Sequence, residues 1–300
     1  MVISTIVKTI QSLYRRNRDR YPEMLIYLND LTDNDFNAVF KMLPSFYRNF
    51  REDDGNENVI IPCFVSATPG SFYSRLFPSN SLHFVHSSNS LHWLSQAPGK
   101  LENRGNVYIS RTSPARAAEA YLKQFEKDFS TFLRLRSEEM MAGGHVLLTL
   151  AGRSDPNPSS DDCCCLWELL SKSLLELVSE GHVREEDVDS FNFPFYNSYK
   201  DEVKAIIEKE KSFSLERLEV FQSNWDVSDN DNDGDKNLDK CERSRNVASR
   251  IRALSEPMLA AHFGDLIIED LFKKYAKHVE EYLSLESLKN TSIVVSLRKL

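Results

Sequence analysis

The side chains best suited to chemistry stand in three short segments, Leu28-Asn29-Asp30-Leu31, Pro69-Gly70-Ser71-Phe72-Tyr73 and Ser87-Ser88-Asn89-Ser90-Leu91-His92-Trp93-Leu94-Ser95-Gln96. Each lies where an apolar run breaks into polar residues. A parallel α/β sheet presents a ligand in this way, because side chains and free N–H groups at the carboxyl ends of its strands line the crevice. The spacing points to one site built by three strand ends. Asp30 closes the first apolar run, and a carboxylate there suits the two ribose hydroxyls of a nucleoside.

Other residue groups carry less chemistry. His83, His86 and His92 surround one apolar run, but their spacing puts His83 and His86 on opposite faces of a strand, against a shared zinc ion. The five cysteines, three of them adjacent at Cys163, Cys164 and Cys165, form neither a metal-ligand nor a disulfide framework and fit a reducing, cytoplasmic compartment. Asp229, Asp231 and Asp233 followed by Gly234 open like a calcium loop, yet the twelfth position is Lys240, whose ammonium would repel the ion. Residues 226–244 read instead as a solvated, mobile insertion. No Gly-x-Ser-x-Gly elbow, Walker sequence or Cys-x-x-Cys pair supports a hydrolase, an NTPase or a zinc module.

The elements that must position the three segments are visible as apolar runs at 24–28, 59–67, 82–86 and 145–151. They are short, β-branched or aromatic, and separated by helical or polar stretches, as parallel strands with crossovers are. Helical periodicity follows at about 114–142, 163–181, 200–211, 242–262 and 265–287, more helix than crossovers require, so part of it is expected to form a lid over the strand ends. Residues 215–222 and 292–297 read as two late strands pairing antiparallel at the sheet edge. Ile3, Ile6, Val7, Ile10 and Leu13 share one helical face ahead of a basic run. That stretch reads as a core helix leading into the first strand; an organelle transit peptide is the rarer alternative.

A chain of 300 residues with 41% hydrophobic content can bury the core of one large domain or two small ones. Its net charge of −8 argues against a nucleic-acid surface. The absence of a run of about 18 apolar residues argues against a membrane span.

Taken with Asn103-Arg104-Gly105-Asn106-Val107-Tyr108-Ile109-Ser110, Asp189-Ser190-Phe191-Asn192-Phe193-Pro194, Arg252-Ala253-Leu254-Ser255-Glu256-Pro257 and the strand-like Ile293-Val294-Val295-Ser296-Leu297, the chain resembles the plant SABATH family. These are the salicylic, benzoic and jasmonic acid carboxyl methyltransferases and the caffeine-pathway N-methyltransferases. The resemblance covers nearly the whole chain. It implies a Rossmann-like α/β methyltransferase fold with a helical cap, divided into a core at 1–152, a mainly helical cap at 153–212 and a completion of the core at 213–300. It implies S-adenosylmethionine as co-substrate, a small carboxylic acid as methyl acceptor, and pairing as a homodimer. Asp30, Leu31, Ser71 and Phe72 match the family's cofactor-binding positions. Asn89, His92, Trp93 and Trp167 match substrate-binding ones, His92 as a donor to the acceptor carboxylate and Trp93 as an indole wall. Asn103, Asp189, Phe191 through its carbonyl, and Asn192 match magnesium-associated positions, with a structural or modulatory role.

Methyl transfer from a sulfonium to an ionised carboxylate needs no general base and no catalytic side chain beyond those that align the reactants and exclude water. Two departures from the family stand out. Asn89 replaces a tyrosine of many salicylate-type members, and no glycine precedes Gly55. The family's first strand, its glycine-rich turn, and the nearby tyrosine and glutamine that touch substrate are thus expected to be missing, the chain starting at the first crossover helix. This leaves a carboxyl methyltransferase from an incomplete gene product, or a truncated, non-catalytic paralogue acting as an interaction partner, as alternatives from different classes. An N-methyltransferase is the within-class alternative, disfavoured by His92 where several of those carry glutamine.

Overall fold

The computed structural model describes residues 2–17, 22–52, 62–99, 101–224, 240–284 and 288–300. They divide into two compact units, 1–76 and 77–300. In the first unit, α1 (Val2–Asn17), β1 (Met24–Asp30), α2 (Phe36–Glu52) and β2 (Cys63–Pro69) alternate. β1 and β2 pair in parallel, from Met24 opposite Cys63 to Asp30 opposite Pro69. The apolar residues of β1 alternate between half-buried Met24, Ile26 and Leu28 and exposed Leu25 and Tyr27, the period of a strand. Asp35 starts α2 by accepting the N–H groups of Asn37 at 2.9 Å and Ala38 at 3.2 Å, an N-cap that satisfies two otherwise unpaired donors. Of the apolar face of α1, Val7 is buried, Ile3, Ile6 and Ile10 are half-buried, and Leu13 is exposed.

The second unit runs β3 (Leu82–Ser88), α3 (Ala115–Glu139), β4 (Met140–Arg153), α4 (Asp161–Ser179), α5 (Glu185–Ser190), β5 (Ser198–Tyr199), α6 (Lys200–Glu210), β6 (Phe213–Asn224), α7 (Lys240–Phe263), a 3-10 turn at Asp265–Ile267, α8 (Ile268–Leu283) and β7 (Lys289–Lys299). Its mixed sheet has the order β3-β4-β7-β6, with β5 added to the end of β4. β3 and β4 are parallel, whereas β7 is antiparallel to both β4 and β6. The long α3 buries a stripe of Tyr121, Phe125, Phe129, Phe132 and Leu133 at helical spacing.

The late strands were expected to pair at the sheet edge; only β6 lies there, and β7 is internal. The reason is the closed apolar face of β7, on which Ile293, Val295 and Leu297 are wholly buried. The helix carrying Trp167, expected at 163–181, spans Asp161–Ser179. Residues 226–239 of the expected insertion, and with them the calcium-like loop, lie outside the described residues, while 240–244 open α7. Among the described residues, β1 has β2 and β3 has β4 as strand partner, and no helix is long and apolar enough to cross a membrane.

Candidate active site

The first unit gathers Asp30, Leu31, Ser71 and Phe72 at the carboxyl ends of its two strands. Gly70 N–H donates to the Asp30 carbonyl at 2.8 Å, closing the two strand ends together. Asn29 reinforces the closure, its Nδ2 donating to the carbonyls of Thr68 at 2.7 Å and Gly70 at 2.9 Å. Gly70 has φ +140°, and a Cβ there would lie 3.1 Å from Leu76 Cδ2, so the turn calls for glycine. The Asp30 carboxylate is exposed and accepts the Leu31 N–H at 2.8 Å through Oδ1. Ser71 Oγ accepts the Tyr73 N–H at 3.2 Å, and Phe72 meets Tyr73 edge to face at 4.6 Å. An exposed carboxylate at one strand end and a half-buried hydroxyl and ring at the next form an arrangement suited to a nucleoside.

In the second unit the chain leaves β3 through Asn89, whose φ of +53° is the left-handed conformation that asparagine tolerates. Its N–H donates to Thr149 O at 2.8 Å, and its side chain is exposed on that turn, outside the aromatic cluster that follows. His92 is buried, and its Nδ1 accepts the Ala151 N–H at 3.0 Å. Burial pushes the imidazole pKa down to about 3, so the ring is neutral at physiological pH. With Nδ1 occupied as an acceptor, the single ring proton sits on Nε2. The ring can therefore donate one hydrogen bond, without offering charge or taking a proton.

Around His92 the aromatic rings close up. Phe195 lies 4.9 Å from His92, 5.2 Å from Trp93 and 5.4 Å from Trp167. Trp167 is held against Phe193 at 4.7 Å and Tyr108 at 6.0 Å. Trp93 is half-buried, whereas Trp167 is buried. The segment 194–196 runs antiparallel beside 92–94: Leu94 N–H donates to Pro194 O at 2.7 Å, Tyr196 N–H to His92 O at 2.8 Å, and Trp93 bridges Phe195. The structure thus joins His92, Trp93 and Trp167 into one wall through Phe195. Phe195 and Tyr196 were missed in the sequence, although the aromatic run Phe193-Pro194-Phe195-Tyr196 follows directly on the segment ending at Pro194.

The magnesium-associated residues also come together, but as a hydrogen-bonded tie. Asn103, wholly buried, accepts from Ser113 Oγ at 2.6 Å and donates through Nδ2 to Tyr108 O at 2.9 Å and Asn192 Oδ1 at 3.2 Å. Asp189, at the end of α5, accepts the Gly105 N–H at 2.8 Å. Phe191 packs its ring on Phe193 at 4.8 Å. Magnesium demands a near-octahedral shell of oxygens at about 2.0–2.1 Å. Here Asn103 turns its nitrogen, not its oxygen, toward Asn192, and Asp189 is the sole carboxylate of the set. Among the described residues no group of three His, Cys, Asp or Glu side chains is placed to hold a metal. As placed, Asn103, Asp189 and Asn192 are engaged in hydrogen bonds, and no magnesium shell is shown at them.

Comparison with known proteins places this geometry. The model of a family described as SAM dependent carboxyl methyltransferase matches residues 1–300. A salicylate/benzoate carboxyl methyltransferase of Arabidopsis thaliana is 47% identical over 301 residues, covering 100% of this chain and 76% of the relative. A benzoic acid/salicylic acid carboxyl methyltransferase of Petunia hybrida is 44% identical over 301 residues, covering 100% of this chain and 81% of the relative. The solved structure of a loganic acid methyltransferase with SAH superposes with a TM-score of 0.82 at 29% identity, over 99% of this chain and 79% of that one. The fold is that of the S-adenosylmethionine-dependent methyltransferases, and the chain belongs to the SAM dependent carboxyl methyltransferase family.

Proposed function

We propose that this chain methylates the carboxylate of a small aromatic acid of the salicylate or benzoate kind. The observation that carries the reading is the buried, neutral His92 with its proton on Nε2, set in the ring wall of Trp93, Phe195 and Trp167. A flat acid ring packs on such a wall, and one neutral donor orients a carboxylate without neutralising it. A carboxylate oxygen lone pair forms the new O–C bond as the C–S bond of the sulfonium breaks, the bonding pair passing to sulfur. No proton moves, so a side chain that neither takes nor gives one suits the step.

Asp30 and Leu31 are assigned to the ribose, and Ser71 and Phe72 to the adenine. Asn89, on an exposed turn, is assigned to the pocket rim, where its amide takes the place of a phenol ring. Residues 153–212, which hold α4, α5, β5 and α6, serve as the cap, with 1–152 and 213–300 as the core. Magnesium has no step in this reading; Asn103, Asp189 and Asn192 fix the loop before α3 to α5. A cytoplasmic setting and pairing of two copies complete it.

Calorimetric titration of S-adenosylhomocysteine, followed by benzoate into the loaded protein, tests the reading. Both are expected to bind. His92→Leu is expected to weaken benzoate by roughly ten- to a hundredfold, the worth of one bond to a charged group, and to leave the nucleoside unchanged. Absence of benzoate binding, or equal binding by the variant, would overturn it.

A further inference from the structure

Arg153 ends β4 with 1% exposure, and methyl transfer makes no use of its charge. We propose that the Arg153–Glu202 ion pair is a positioning unit for the acceptor wall, fixing segment 194–199 and through it the orientation of Phe195, Trp93 and His92. The inference rests on the acid-binding reading of that wall.

The guanidinium ties three stretches of chain together. Nη1 donates to Asn197 O at 2.6 Å, to Tyr196 Oη at 3.2 Å and to Glu202 Oε2 at 3.2 Å. Nη2 donates to Glu202 Oε1 at 2.5 Å and to Pro156 O at 3.1 Å. The planar group also stands 5.6 Å from the Tyr196 ring centre and 5.8 Å from that of Tyr199. Glu202 returns the contact, its Oε2 accepting the Tyr199 N–H at 2.8 Å and the Tyr196 hydroxyl at 3.1 Å. Asn197 anchors the far side, its N–H donating to Tyr108 Oη at 3.1 Å and its Nδ2 to Cys163 O at 3.2 Å.

From Tyr196 the restraint passes directly to the wall, because Tyr196 N–H holds the His92 carbonyl and Phe195 bridges Trp93. A buried ion pair gives little net stability, since desolvation offsets the attraction and an apolar pair of like volume serves as well. A guanidinium fork does supply directions that a lysine ammonium cannot. Arg153 therefore acts through orientation.

Arg153→Lys, which keeps the charge and loses the fork, and Arg153→Met with Glu202→Leu, which keeps the volume, test this. Acid and S-adenosylmethionine KM values are to be measured with melting curves. Both variants are expected to fold and to raise the acid KM about tenfold, the worth of one lost orienting bond, with the cofactor KM unchanged. Parallel changes in both KM values, or a lower melting temperature with unchanged acid KM, would overturn the proposal.

An activity-independent readout separates this inference from the functional reading. In 5-fluorotryptophan-labelled protein, the Trp93 resonance, assigned with Trp93→Phe, is expected to shift in Arg153→Lys. If that variant does not fold, Glu202→Gln takes its place. An unmoved resonance in a folded variant overturns the positioning role whether or not the protein methylates benzoate. A shifted resonance without acid binding by the wild type overturns the functional reading and leaves the positioning of the wall supported.

Discussion

Replacing His92 by glutamine removes a titration that burial suppresses in the folded protein. Burial opposes a charge on the ring, which is why the folded pKa lies near 3, and protonation in place would also break the bond from Ala151 N–H to Nδ1. The unfolded value is about 6.5. Between the two, the unfolded chain binds more protons than the native one, so stability is full above pH 6.5 and falls as pH drops toward the folded pKa. Each pH unit in that window is worth about 1.4 kcal/mol, so acidification from pH 7.5 to 4.5 costs roughly 2.7 kcal/mol through His92 alone. The complete loss, reached only below the folded pKa, is roughly 5 kcal/mol. Glutamine keeps an acceptor and a donor but does not titrate. Urea unfolding of both proteins at the two pH values reads the difference, since the carboxylates that titrate are common to both. The wild type is expected to lose roughly 2–3 kcal/mol more than His92→Gln. Equal losses would refute the buried, neutral imidazole.

Three further outcomes follow from packing. Gly152→Ala places a Cβ 2.6 Å from Ile293 Cγ1 and 3.0 Å from Ser198 O, and urea unfolding should show a loss of about 1–3 kcal/mol; an unchanged midpoint would contradict the close approach of β7 and β5 to β4. Glu139→Ala leaves the buried Arg136 guanidinium, 2.7 Å from Glu139 Oε2, without its partner carboxylate and is expected to cost about 3–5 kcal/mol by the same assay, whereas Asp187→Ala at the exposed Arg184 pair should leave the midpoint unchanged. Chelator treatment is expected to leave the melting temperature unchanged, because Asn103 is tied to Asn192, and Asp189 to the Gly105 N–H, by hydrogen bonds; a chelator-dependent fall reversed by magnesium would restore a metal to that cluster.

What could be read from the sequence was what depends on local period. The alternation in 24–28 and the apolar stripe of Tyr121, Phe125 and Phe129 bury one face whatever they pack against, so β1 and α3 were legible. The three polar breaks were legible as strand ends for the same reason. Phe195 and Tyr196 were not, because 191–197 has no period and is ordered by pairing with 92–94, far away in the chain. β5, two residues long, is set by the end of β4 rather than by its own composition. Arg153 reads as one more charged residue after a strand until its four partner groups are seen. The magnesium-associated positions were recognised as a group, but the hydrogen bonds that Asn103 makes with Ser113 and Asn192 exist only in the fold.

The central claim is tested most directly by incubating the protein with methyl-labelled S-adenosylmethionine and benzoate or salicylate, then treating the extracted product with alkali. The expected result is label in an ester, released as methanol by base, with no transfer when the carboxamide replaces the acid. Label that survives alkali, on the phenol oxygen of salicylate or on the nitrogen of the carboxamide, or no transfer to either acid by protein that binds S-adenosylhomocysteine, would contradict it.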